Sequence, residues 1–415
     1  MANIKRLVEY SKTEPARIFL ISLLAITLST ADQSLFSYAI PGMLEEFDIN
    51  LKIIGYMLSA SFFVASFAVV LVGMLSDYIG RRRVLVSLLG FSALFVGLHA
   101  FADSLLVLTI LRISGFALGA GLYLVASTMV VETAPQQYRG LIAGTLQIGY
   151  PLGFAIASLI VVPLIGSYGW RSIFLPAFVV LLLSPLIAYL LPESSRFKNI
   201  KQQSGGNENG KGLSHSLFEL LEEHKTDLFI CFAGSFFISF AIGGTTYFLP
   251  TFLVSHYGMT LSQAGSIVGS SYAIGAVGYI LSSIVGEFVL TRRNTLIIWI
   301  LFGGLFFLYA IWEAQLGIIL TLSLGMTILF LYGSEAVRMP MIGELFPTHL
   351  RATATGVSGS LAVTTAWLLA PLLIPWGSVS IGWPLTLTYF GIIPLFMSSI
   401  VFLFLPNKYS NTQIY

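Results

Sequence analysis

The feature that most constrains this chain is a succession of long apolar runs. They fall at roughly 17–42, 52–76, 84–103, 105–131, 140–166, 171–192, 226–254, 261–286, 294–313, 316–343, 352–376 and 383–405, twelve in all. Each is close to the ~20 residues a helix needs to cross a bilayer, and tilt absorbs any excess. In hydrocarbon every backbone polar group must be satisfied within the protein, so only helices and closed barrels span. Barrel strands would alternate in hydropathy; these runs are continuous and rich in Leu, Ile, Phe and Gly. The chain reads as an all-α membrane protein of twelve transmembrane helices. Its 10% of charged residues is less than half the ~25% of a soluble domain.

The placement of Lys and Arg sets the topology, because these residues favour cytoplasmic loops. Of 21, Lys52 and Arg171 fall on the far side, Arg112 and Arg338 lie within runs, and the other seventeen share the side of the N-terminus. Both termini are therefore expected in the cytoplasm, in a multi-pass protein of the cell membrane. Lys5, Arg6, Lys12 and Arg17 flank the first run as in a signal peptide. That run continues through Asp32 and Tyr38 without a small-residue cleavage site, which indicates an uncleaved helix. The net charge of +2 says little about partners beyond the lipid bilayer, because the basic loops are accounted for by topology and by anionic headgroups.

One segment interrupts the rhythm. Residues 193–225 include KQQSGGNENGKG, which has linker composition, and SLFELLEEH, which suits a short surface helix. The linker divides the chain into six-helix halves, 1–192 and 226–415. The halves echo each other. SYAIPGM at 37–43 returns as TYFLPTF at 246–252, and VVETAPQQYRG at 130–140 returns as IGELFPTHLRA at 342–352. Two such halves around a central crevice make a transporter architecture.

A charged corner, GMLSDYIGRRRVL at 73–85, lies between the second and third runs. Gly73 and Gly80 permit close approach and a tight turn. Asp77 sits at the membrane edge, where it can accept from a helix N-terminus or an arginine. The pattern G-x-x-x-D-x-x-G-R-[KR], here Gly73, Asp77, Gly80, Arg81 and Arg82, resembles the loop signature of the major facilitator superfamily. The resemblance covers essentially the whole chain. It implies two pseudo-symmetric six-helix bundles that alternate access, with the Asp77 loop latching the halves near Arg351. A degraded second copy keeps Glu287, Arg292 and Arg293. Glu132 with Arg139, and Glu344 with Arg351, are expected to close a network with these arginine loops.

Within the family, VVETAPQQYRG and PESSRF are similar to sugar-porter loops. The sugar-contacting features match less well: the seventh run lacks a glutamine pair, and Val337 stands where a tryptophan would be expected. STADQSLFSYAIPGM and GELFPTHLRATATG resemble the organic and aromatic acid/proton symporters. Here only Asp32 is present, with Gln33 beside it, where those carriers usually show a second acid. Phe154 replaces the proline of an antiporter signature. The resemblance favours symport of a small organic anion with protons, with a neutral sugar or polyol as the alternative.

Charges inside a bilayer are costly and mark function. Asp32 is the proton-carrier candidate, with Glu335 next. Arg112 and Arg338, one from each half, are candidates to grip a carboxylate, since arginine holds its charge and bonds in a fork. Arg338 lies three residues from Glu335, close enough to be neutralised by it. Phe36, Gln33, Gln147, Tyr150, Tyr247 and Trp367 are candidate lining residues, as substrate sites are mostly apolar with a few polar anchors. His99 reads as an interfacial residue near a helix end. A lone Cys231, the absence of clustered metal ligands and the absence of a phosphate-binding loop argue against a metal, a nucleotide cofactor or an enzyme. The expected partners are a small molecule and protons, with no nucleic acid, and a monomer is expected.

Overall fold

The computed structural model describes residues 14–135, 139–193, 219–347 and 350–407. Twelve helices are long and apolar enough to cross a membrane. They are α1 (Glu14–Glu46), α2 (Leu51–Ile79), α3 (Arg81–Phe101), α4 (Leu105–Thr133), α5 (Gly140–Tyr168), α6 (Trp170–Leu190), α7 (Lys225–Thr246), α8 (Leu261–Phe288), α9 (Arg292–Trp312), α10 (Ile318–Leu345), α11 (Thr353–Ser380) and α12 (Trp383–Phe402). Helix starts follow local chemistry. Asn50, Ser104 and Thr291 each accept from a backbone N–H three residues on, and Thr260 with Gln263 forms a reciprocal capping box. Most of the linker, 194–218, lies outside the described residues; 219–223 are helical.

Two helical runs are interrupted, each for the same reason. Pro151 has no N–H to offer the Gln147 carbonyl, and that oxygen instead accepts from Tyr150 at 3.0 Å. Pro250 likewise frees the Thr246 carbonyl, and α7 stops there before Leu249–Tyr257 resumes. Gln147 and Tyr247 stand at these breaks, where backbone can depart from a helix only if it lines protein or a cavity.

The basic loops at 77–83 and 287–293 mark one end of the bundle. At the opposite end α2 packs on the outer half of α11, Ala362–Ser380. Ser59 donates to the Leu368 carbonyl at 2.8 Å. A Cβ at Gly55 would lie 2.2 Å from the Pro371 carbonyl oxygen, so only glycine permits this approach. Ser262 of α8 donates to the Val162 carbonyl of α5 at 3.1 Å. At the basic end α2 has no extended packing on 351–361. The halves thus pack through α2 and α11 at the end away from the basic loops, and at the basic end the start of α5 meets α8 and α10 while α2 and α11 stand apart.

Each half carries a matching ion cluster at its basic end. Arg81 bonds Asp77 at 3.2 Å and also Glu132; Arg292 bonds Glu287 at 2.6 Å and also Glu344. The neighbouring arginines hold a helix C-terminus. Arg82 donates to the Ala188 carbonyl, and Arg293 to those of Phe402 and Leu403. Both clusters bring the expected glutamates to the arginine loops. Glu132 and Glu344 meet Arg81 and Arg292, because the ends of α2, α3 and α4, and of α8, α9 and α10, converge. The Arg139 side chain lies outside the described residues, and Arg351 is exposed. Asp77 is 71% exposed and pairs with Arg81, its one ion pair among the described residues. Its expected contact near Arg351 is not made in a conformation where α2 and α11 stand apart.

Candidate functional site

The site builds from α1 and α4. Gly119 lets α4 approach α1, where a Cβ would meet the Gln33 amide nitrogen at 3.0 Å, and Gly115 lets it approach α3, where a Cβ would meet Phe95 at 3.2 Å. Gln33 then reaches across. Its Nε2 donates to Ser92 Oγ and to the Gly115 carbonyl, both at 3.0 Å. Its Oε1 and backbone oxygen accept from Arg112 Nη1 at 3.3 and 3.2 Å. Arg112 is 2% exposed. Its guanidinium carbon lies 4.4 Å from the Phe36 ring centre, 4.9 Å from Phe116 and 5.5 Å from Tyr247. These faces attract a cation without neutralising it. The Nε and Nη2 atoms of Arg112 are buried and make no hydrogen bond of good geometry among the described residues, with the neutral Tyr247 hydroxyl in electrostatic reach of the guanidinium.

The aromatic wall crosses between the halves. Phe62 of α2 sits edge-on to Phe116, Tyr247 and Trp367, at 4.7, 5.7 and 5.0 Å between centres. The Trp367 indole nitrogen is buried without a partner among the described residues. The structure therefore brings together Gln33, Phe36, Arg112, Tyr247 and Trp367. Asp32, one residue from Gln33, is buried and forms no ion pair among the described residues; its Oδ2 has no hydrogen-bond partner there. It is adjacent in sequence to the residue that holds Arg112 but is not itself paired with Arg112.

Glu335 and Arg338 form a separate centre on α10. Arg338 Nε and Nη2 donate to the two carboxylate oxygens of Glu335, at 3.0 and 2.5 Å, so this arginine is neutralised on its own helix. Tyr123, Tyr150 and Tyr279 lie within electrostatic reach of Glu335. Tyr150 rests against Tyr123, 5.4 Å between ring centres. Gln147 is half-buried at the α5 break, and its side chain bonds nothing among the described residues.

Several contributors escaped the sequence reading. Phe116 follows Arg112 by one helical turn, so spacing alone could have suggested it. Phe62, Ser92 and the buried hydroxyl chain Thr246–Tyr332–Tyr272 (3.1 and 3.4 Å) carry no local signal. His99 is a correction. It is not interfacial but 1% exposed, stacked on Phe174 at 5.0 Å and edge-on to Phe36 at 6.0 Å. Its Nδ1 bonds the Phe95 carbonyl at 2.8 Å, and the Phe36 and Phe174 rings cover it.

Comparison with known proteins bears on the family and the fold. Residues 22–334 match the family described as Major Facilitator Superfamily. Over 407 residues the chain is 29% identical to a cis,cis-muconate transport protein of Acinetobacter baylyi, covering 93% of this chain and 96% of that one. It is 26% identical to a gallate transporter of Pseudomonas putida, covering 93% and 90%. It is likewise 26% identical to a 4-hydroxybenzoate transporter of that species, covering 88% and 87%. Among solved structures it resembles a D-xylose–proton symporter, with TM-score 0.76, 18% identity and coverage of 95% and 99%. It also resembles a bacterial homologue of the human lysosomal transporter Spinster in an inward-facing, occupied conformation, with TM-score 0.73, 15% identity and coverage of 95% and 97%. At these identities the two structures speak for the fold.

Proposed function

The chain belongs to the Major Facilitator Superfamily, a multi-pass membrane transporter and not an enzyme, and from that premise we propose that it carries a small organic carboxylate across the cell membrane together with a proton. The halves 1–192 and 226–415 would rock about the crevice, joined by the linker 193–225, with both termini in the cytoplasm. One observation carries the substrate class: the Nε/Nη2 edge of Arg112, buried, uncompensated and walled by Phe36, Phe116 and Tyr247. That edge of a guanidinium presents two parallel N–H groups, which fit the two oxygens of a carboxylate. The aromatic walls suit a flat, conjugated body. The relatives named for muconate, 4-hydroxybenzoate and gallate are named for carboxylates of that shape.

Asp32 supplies the proton site in this reading. It is a buried acid without a counter-ion among the described residues, one position from the group that holds Arg112. A carboxylate substrate beside an ionised Asp32 adds like charge, whereas protonation removes it, so proton and anion bind in mutual support. Rocking is then favoured when both are bound. In proteoliposomes an inward proton gradient should concentrate 4-hydroxybenzoate, and Asp32→Asn should abolish accumulation while still exchanging substrate. Accumulation by Asp32→Asn would move the proton site, with Glu335 next in line. Transport of a neutral hexose with no carboxylate uptake would overturn the anion reading.

A further inference from the structure

Gln33 has no donor left to offer a substrate. Both amide hydrogens are engaged, by Ser92 Oγ and the Gly115 carbonyl, and the amide oxygen faces Arg112 Nη1. The orientation is fixed by its surroundings: turned over, the amide would aim donors at a guanidinium and its acceptor at a carbonyl. Ser92 also donates to Gly115 at 3.1 Å, so the knot is closed at 8% exposure of Gln33. We propose that Gln33 is a positioning residue whose neutral oxygen anchors Arg112 without neutralising it, and so sets the site's preference for an anion.

Two ways exist to hold a buried guanidinium. A carboxylate would bind it more strongly but cancel its charge, as Glu335 does for Arg338. A carbonyl oxygen fixes one end and leaves the net charge available. Gln33 uses its side-chain and backbone oxygens for this purpose, both on Nη1, and leaves the Nε/Nη2 edge without a hydrogen bond of good geometry. Phe36, one turn further along α1, lies against the same guanidinium. The α1 segment from Gln33 to Phe36 therefore determines both where Arg112 points and what charge it shows.

This inference rests on the proposed carboxylate site, and the test separates the two. Dissociation constants are measured for benzoate and its neutral counterpart benzamide on purified full-length protein. The variants are Arg112→Gln, Gln33→Glu and Gln33→Met. The wild type should prefer benzoate, and Arg112→Gln should lose that preference; otherwise the carboxylate reading itself falls. Given that result, Gln33→Glu should cut the benzoate-over-benzamide ratio at least tenfold, because the introduced carboxylate takes the role Glu335 plays on α10. Gln33→Met, similar in length but without an acceptor, should weaken benzoate several-fold and leave benzamide unchanged. A merely structural role would weaken both ligands alike. An unchanged ratio in Gln33→Glu, or unchanged benzoate affinity in Gln33→Met, overturns the proposal. If Gln33→Glu does not fold, the Gln33→Met measurement decides alone.

Discussion

Arg112 and Arg338 are both buried to within 2% of complete exclusion, one in each half of the chain, and they differ in which edge of the guanidinium the protein occupies. On Arg338 the Nε/Nη2 edge is filled by both oxygens of Glu335, three residues back on the same helix. On Arg112 the same edge makes no hydrogen bond of good geometry among the described residues, and the opposite nitrogen is held by neutral oxygens of Gln33. The contrast separates two uses of a costly group. Arg338 has its charge balanced by Glu335, although its Nη1 has no hydrogen-bond partner among the described residues. Arg112 carries a charge the fold does not compensate, the condition expected of a ligand-binding group and not of a structural one. The Glu335 bond also shows, within this molecule, the geometry a substrate carboxylate would adopt on Arg112.

The strongest way to break the contrast is to remove Glu335. Glu335→Gln leaves Arg338 buried without its counter-ion and should destabilise the protein by ~3–5 kcal/mol, read from thermal unfolding in detergent. A small loss would mean that Arg338 is compensated elsewhere and that the two centres are alike. The reverse experiment is Arg112→Met. Since nothing in the described fold neutralises Arg112, its removal should leave stability unchanged or raise it by up to ~2–3 kcal/mol, while carboxylate binding disappears. Marked destabilisation would assign Arg112 to structure. The smallest effect belongs to the exposed loop. Asp77→Asn removes one oxygen acceptor of a pair that is 71% exposed on the Asp77 side. It should change stability by less than ~1 kcal/mol and slow transport without altering equilibrium binding. A large loss of affinity would place that loop near the substrate.

The twelve spans were legible because a bilayer leaves few alternatives for runs of this length. The charged clusters at the basic end were legible in membership but not in pairing. Glu132 bonds Arg81, far from it in sequence, because three helix ends converge. Helix breaks at Gln147 and Tyr247 could be read from Pro151 and Pro250. The facing of side chains between helices could not. These helices are apolar on all sides, so hydropathy gives no inner face, and Phe62 looks no different in sequence from the exposed Phe63. His99 was misplaced for that reason: Phe36 and Phe174, the rings that enclose it, lie on other elements. Gln33 was recognised as a site residue, but its role depends on Ser92, Gly115 and Arg112, which only the packing of α1, α3 and α4 brings together.

The most direct measurement is a structure of the protein with a bound aromatic carboxylate. The account predicts the two carboxylate oxygens on Arg112 Nε and Nη2 at about 2.7–2.9 Å, the ring between Phe36, Phe116 and Tyr247, and the Glu335–Arg338 pair intact. A carboxylate bound instead on Arg338, with Glu335 displaced and the Nε/Nη2 edge of Arg112 turned to a protein acceptor, would contradict it.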